Sequence, residues 1–169
     1  MSKVLVPIDG SANALHAVRH LAAEARSGAA VEIELLNVQP PLPRHIAQFV
    51  GAADRRAFLR ERSEQALQGA RNQLERCGLP FGSHTAIGAK ADVIAECARR
   101  LGCDRIVLST RRKSALLRLF ESSTTNGVIE RTTVPVVVIA GDAATAMERY
   151  GVPAGAGTAL ATLLVAAAE

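Results

Sequence analysis

The sequence contains no tryptophan, one tyrosine and four phenylalanines, so aromatic residues make up only 3% of its 169 positions. A chain so poor in flat rings is badly equipped to stack bases, which argues against specific recognition of RNA or single-stranded DNA. No apolar run approaches the ~18 residues that a membrane span needs. The start, Met1 to Asp9, is too short in apolar residues for a secretory leader and shows no small-residue cleavage site. Cysteine is scarce as well. Cys77, Cys97 and Cys103 form no Cys-x-x-Cys pair and leave an odd count, which fits reduced thiols with at least one in a core. A cytoplasmic protein without membrane contact is the expectation.

What is present is ordinary in proportion. Hydrophobic residues are 49% and charged residues 21%, a balance suited to one folded domain with a sizeable core. Twenty Lys and Arg against sixteen Asp and Glu give a net charge of +4. That excess favours anionic ligands without choosing among them.

Apolar strand-like runs alternate with helix-period segments. Lys3 to Ile8 is nearly continuous in apolar residues, as a strand covered on both faces should be. Ser11 is placed to cap a helix in which Leu15, Val18, Ala22 and Ala25 recur until Gly28. Val31 to Val38 is a second strand, with Glu32 and Glu34 alternating against Val31, Ile33 and Leu35. A long loop from Gln39 to about Ala53, opened by three prolines, precedes a helix from about Asp54 to Cys77 that should bury Leu59, Ala66, Ala70 and Leu74. Pro80 to Ile87 reads as an edge strand, because proline cannot donate to a central ladder. A helix at Asp92 to Leu101, a strand at Asp104 to Leu108, a helix from near Ser122 to Thr132 and a strand at Val134 to Ala140 complete the alternation.

Parallel neighbours need crossover connections, so this order predicts an α/β fold. The expected architecture is a doubly wound, five-stranded parallel sheet in the order 3-2-1-4-5 with helices on both faces, spanning residues 1–141. Ligands of such sheets bind beyond the carboxyl ends of the strands where the order reverses, here between the first and fourth strands. Residues 142–169 are an Ala- and Gly-rich segment with Arg149 set against Asp142, Glu148 and Glu169. Its composition fits a disordered tail and a short docking helix equally.

Four stretches in order, Val4-Leu-Val-Pro-Ile-Asp-Gly-Ser11, Ile87-Gly-Ala-Lys-Ala-Asp-Val-Ile94, Cys103-Asp-Arg-Ile-Val-Leu108 and Pro135-Val-Val-Val-Ile139, resemble the universal stress protein family across residues 3–140. The resemblance implies the fold of the adenine nucleotide α hydrolases. In nucleotide-binding members, the residues matching Pro7, Asp9 and Val38 line the adenosine pocket. The residues themselves allow a second role for Asp9, capping the first helix together with Gly10 and Ser11. The family's phosphate motif is a glycine, two residues, a second glycine, nine residues, then Gly-Ser or Gly-Thr. The matching positions here hold Ser109, Arg112 and Ser122, followed by Ser123.

All three glycines are therefore replaced. Glycine matters in such loops because phosphates approach backbone N–H groups closely, so tight ATP binding is not expected. Ser122, Ser123, Thr124 and Thr125 at a helix start, with Arg111, Arg112, Lys113 and Arg118 before them, leave open a rebuilt phosphate site. No cofactor is firmly implied, and ATP or AMP stays open through the resemblance.

Other chemistry finds little support. His16 and His20 stand at i and i+4, a metal-ligand spacing without an evident third ligand. A phospho-acceptor receiver needs clustered acids after its first strand and an Asp after its third, where this chain has Ala86-Ile-Gly-Ala-Lys90, and no Gly-x-Ser-x-Gly elbow occurs. The expected function is a non-enzymatic stress-response protein acting through protein partners, the alternative an adenine-nucleotide switch or slow ATPase. The apolar fifth strand, with Val134, Val136, Val137, Val138 and Ile139, lies at a sheet edge in the expected order. An exposed apolar edge is normally covered, and family members commonly dimerise there, so a homodimer is expected.

Overall fold

Strand β1 (Ser2–Pro7) leads through a tight turn to α1 (Leu15–Arg26), and β2 (Val31–Gln39) follows. A single-turn helix α2 (Arg44–Ala47) then precedes the long α3 (Ala52–Arg76). Next come β3 (Phe81–Ile87), α4 (Lys90–Arg100), β4 (Arg105–Arg112), α5 (Thr124–Arg131) and β5 (Val136–Ala143). The computed structural model describes residues 1–112 and 124–143, so Ser122, Ser123, Lys113, Arg118 and the segment 144–169 lie outside the described residues.

The five strands form one parallel sheet in the order β3-β2-β1-β4-β5. This is the expected α/β architecture. On one face, Val18 and Leu21 of α1 and Leu67, Ala70 and Leu74 of α3 pack on Val4, Val6, Ile33, Leu35 and Val107. On the other, Ile94, Cys97 and Ala98 of α4 and Val128 of α5 cover Leu5, Leu36, Ile106 and Leu108. Each fully buried aliphatic side chain contributes about 1.5–3 kcal/mol, and burial on both faces explains why β1 and β4 lack polar alternation.

Several local expectations are corrected. The buried stripe of α3 is Leu59, Ser63, Leu67, Ala70 and Leu74, with Ala66 only half-buried. The loop after β2 is interrupted by α2, whose end is fastened to α3 because Arg55 Nη1 donates to the carbonyls of Ala47 (2.5 Å) and Val50 (2.8 Å). Strand β4 does not stop at Leu108. Ser109, Thr110 and Arg112 pair with Ile139, Ala140 and Ala143, with a register shift between Thr110 and Arg112. Thus the first two glycine-motif positions lie on a strand rather than in a loop, because β5 runs far enough to give them partners.

Val134 falls before β5. Pro135 has no N–H to offer the ladder, its carbonyl accepts from Ile106 N at 2.8 Å, and Val134 N donates to Thr132 Oγ1 at 3.0 Å. Glu34, expected to alternate toward solvent, is only 8% exposed. Its carboxylate Oε2 lies 2.7 Å from His84 Nε2 and its Oε1 4.0 Å from Lys3 Nζ. Of the cysteines, Cys77 is exposed while Cys97 and Cys103 are buried. Burial, reinforced by neighbouring Cys97 and Glu34, pushes the Cys103 thiol up to about 11. Among the described residues no helix is long and apolar enough to cross a membrane, and no group of three metal-ligating side chains occurs.

Candidate functional site

The switch point between β1 and β4 is held by buried amides. Ile8 N donates to Leu36 O at 2.8 Å, Asn37 Nδ2 donates to Ile8 O at 2.6 Å, and Gln39 Nε2 donates to Asn37 Oδ1 at 2.9 Å. A buried amide left unpaired is costly, so this relay fixes the backbone that carries Asp9. The chain then turns at Gly10, where φ is +84° and an added Cβ would lie 3.1 Å from Ala66 Cα. Only glycine satisfies both conditions there.

Asp9 Oδ1 accepts from Ser11 N at 3.0 Å and from Ser11 Oγ at 2.6 Å. Burial, the largest single influence on this carboxyl, pushes its pKa up. The two Ser11 bonds and the positive charge of Lys90 outweigh that, so it titrates below the ordinary aspartate range. Asp9 is therefore ionised at neutral pH. Both Ser11 bonds go to one oxygen, Oδ1. What Asp9 and Ser11 cap is the turn before α1: Ser11 Oγ accepts from Ala14 N at 3.2 Å, and the helix itself begins at Leu15.

That leaves α1 without a side-chain cap of its own, since its cap position is Ala14. The missing acceptor comes from across the sheet, where Ser109 Oγ of β4 accepts from Ala17 N at 2.9 Å. Ser109 is thus a remote N-cap. Ser109→Ala should lower stability by about 1 kcal/mol, and Ser109→Gly by more, because glycine also weakens a strand interior. Urea unfolding of the two variants checks this. A loss in Ser109→Ala no larger than the scatter of repeat measurements would remove the capping role.

A cavity of about 100 Å³ opens at this point. Leu36, Ile94 and Leu108 supply apolar wall, and Asp9, Ser11 and Lys90 supply polar groups. Pro7, Asp9, Val38, Ser109 and Thr124, named from the sequence, all line it, so five of those positions converge on one site. Thr125 lines it too and is buried. Arg112 is placed at the end of β4. Asn13, Lys90 and Ile94 were not anticipated as site residues. Ile87 to Ile94 gave only a family signature, and nothing in its spacing shows that the start of α4 reaches the β1 turn. No histidine or cysteine lines the cavity among the described residues.

Comparison with known proteins agrees with this geometry. Residues 1–140 match the model of the universal stress protein family. A universal stress protein of Methanocaldococcus jannaschii is 28% identical over 145 residues, which is 81% of each chain. Among solved structures, the hypothetical protein MJ0577 superposes with a TM-score of 0.66 at 25% identity, covering 82% of this chain and 95% of that one. A universal stress protein family member of Arabidopsis thaliana, solved with AMP bound, superposes with a TM-score of 0.62 at 18% identity, covering 83% and 92%.

Proposed function

Because the chain belongs to the universal stress protein family, we propose that it is a non-enzymatic, cytoplasmic stress-response protein. It acts as a homodimer through protein partners and takes the nucleoside end of an adenine nucleotide at Asp9 without a strong hold on a triphosphate. The observation that carries this reading is the wall at position 109. Where the family's motif keeps no side chain, Ser109 presents a hydroxyl already engaged by Ala17 N, so backbone approach of phosphate is obstructed there. The size of the cavity agrees. Sites that engulf a drug-sized ligand run to roughly 300–1,000 Å³, and this one, at about 100 Å³, admits only one end of a nucleotide.

The AMP found in the Arabidopsis protein supports an adenine nucleotide as the ligand class. A switch or slow ATPase is the second reading, favoured by Thr124 and Thr125 on the cavity wall. In it, hydroxyls and the basic residues from Arg111 onward replace the glycines.

Native mass spectrometry of gently purified protein, with a phosphate-release assay on added ATP, separates the two. The expected result is no retained ATP and no release above buffer. Micromolar ATP binding that disappears in Arg112→Ala would establish the second reading instead.

A further inference from the structure

We propose that Lys90 makes the cavity selective for a nucleotide with a single phosphate, which its ammonium holds from the α4 side. This rests on the nucleoside occupying the Asp9 cavity as proposed above. Lys90 is the first residue of α4 and is exposed. It is held in place by the packing of Ile94, Cys97 and Ala98 into the core and by the bond from Val93 N to Ala89 O (3.0 Å). A second, larger groove of about 420 Å³ runs between the starts of α4 and α5. Lys90 and Thr124 line both spaces. The two spaces therefore adjoin at these residues, and a ligand extending from the cavity into the groove would run beside Lys90 and Thr124.

The charges beyond this gate decide how much phosphate is welcome. Asp92, Glu130 and Arg131 line the groove past Lys90. Arg131 is committed: its Nε lies 2.6 Å from Asp92 Oδ1, its Nη1 lies 3.5 Å from Glu130 Oε2, and Nη1 donates to Gly127 O at 3.0 Å. Lys90 makes no ion pair among the described residues, and Asp9 is its electrostatic neighbour. A first phosphate therefore meets a cation that makes no ion pair among the described residues, with the Asp9 carboxylate as its charged neighbour. A second and third would enter a groove with two carboxylates and one paired guanidinium, where like charge repels them. An ammonium also needs no backbone approach, so it serves where the glycines of the phosphate motif are gone.

The test is calorimetric titration of the full chain with adenosine, AMP and ATP at fixed low salt, repeated for Lys90→Met and Arg112→Ala. Lys90→Met keeps an unbranched apolar stem and removes the charge at an exposed position, and circular dichroism verifies that it folds. The proposal expects AMP to bind about tenfold more tightly than adenosine and ATP no more tightly than AMP. In Lys90→Met the advantage of AMP over adenosine disappears. Lys90→Arg should restore it. An AMP advantage that survives Lys90→Met but is lost in Arg112→Ala assigns the phosphate to the basic segment and overturns the proposal. Equal binding of adenosine and AMP by the parent chain also overturns it, while leaving the nucleoside reading intact. Binding of none of the three ligands removes both.

Discussion

Gly82→Ala should lower the unfolding free energy by roughly 1–3 kcal/mol, and the loss should vanish when Glu34 is also alanine. Gly82 stands opposite Glu34 in the β2–β3 register. A Cβ there would lie 2.0 Å from Glu34 Oε2 and 2.9 Å from its Cδ. A carboxylate at the end of a free side chain would simply swing away. This one is 8% exposed, bonded to His84 at 2.7 Å and near Lys3, so moving it breaks its bond to His84 inside the molecule. The sign is diagnostic. Backbone φ at Gly82 is not positive, and Gly→Ala without a clash stabilises a protein by about 0.4–1 kcal/mol through the unfolded state. Urea unfolding of the parent, both single variants and the double variant gives the coupling directly. An equal loss in both backgrounds would mean that Glu34 is not what glycine accommodates.

The same residue shows where reading the sequence stops short. The order of the sheet was legible because β1 and β4 are continuous apolar runs and the segments between them carry helical periodicity. Glu34 was not, since Val31-Glu-Ile-Glu34 has the alternation of a strand with one wet face. Its burial depends on a glycine 48 positions away, on β3, and a single sequence does not display that pairing. The start of α1 was misplaced for a related reason. Ser11 has the chemistry of a cap, but Asp9 and Ala14 engage it in the preceding turn, and the helix takes an acceptor from Ser109, 92 positions away.

The candidate site divides along similar lines. Pro7, Asp9 and Val38 came from the family resemblance, Ser109 from the position of the first motif glycine and Thr124 from the hydroxyl cluster at a helix start, and strand ends in a doubly wound sheet converge. Lys90 was missed because its role depends on how far α4 rises beside the switch point. That is set by the packing of Ile94 and Ala98, not by any local pattern around Lys90. Ser109 was found for the motif position it occupies, while its contact with α1 joins residues 92 positions apart.

Val138→Lys should convert the proposed homodimer to monomer, weakening self-association by at least about a hundredfold, with little effect on the fold of one subunit. β5 ends the sheet and has one ladder partner, β4. Val137 and Ile139 pack toward the α1 and α3 side and Val136 toward α4 and α5, whereas Val138 remains 42% exposed. A lysine there is the kind of residue that monomeric proteins place on sheet edges, so one subunit tolerates it. If two fifth strands lie side by side with the two-fold axis beside residue 138, each copy of that residue comes close to its own mate. Two ammonium groups then meet where two apolar side chains were buried. Val138→Glu should separate the subunits for the same reason. Where the two-fold axis passes beside residue 138, an equimolar mixture of the lysine and glutamate variants should recover a dimer that neither forms alone. Sedimentation velocity at micromolar concentration reads all four samples. A monomeric parent chain, or dimers in both single variants, would remove β5 from the subunit interface.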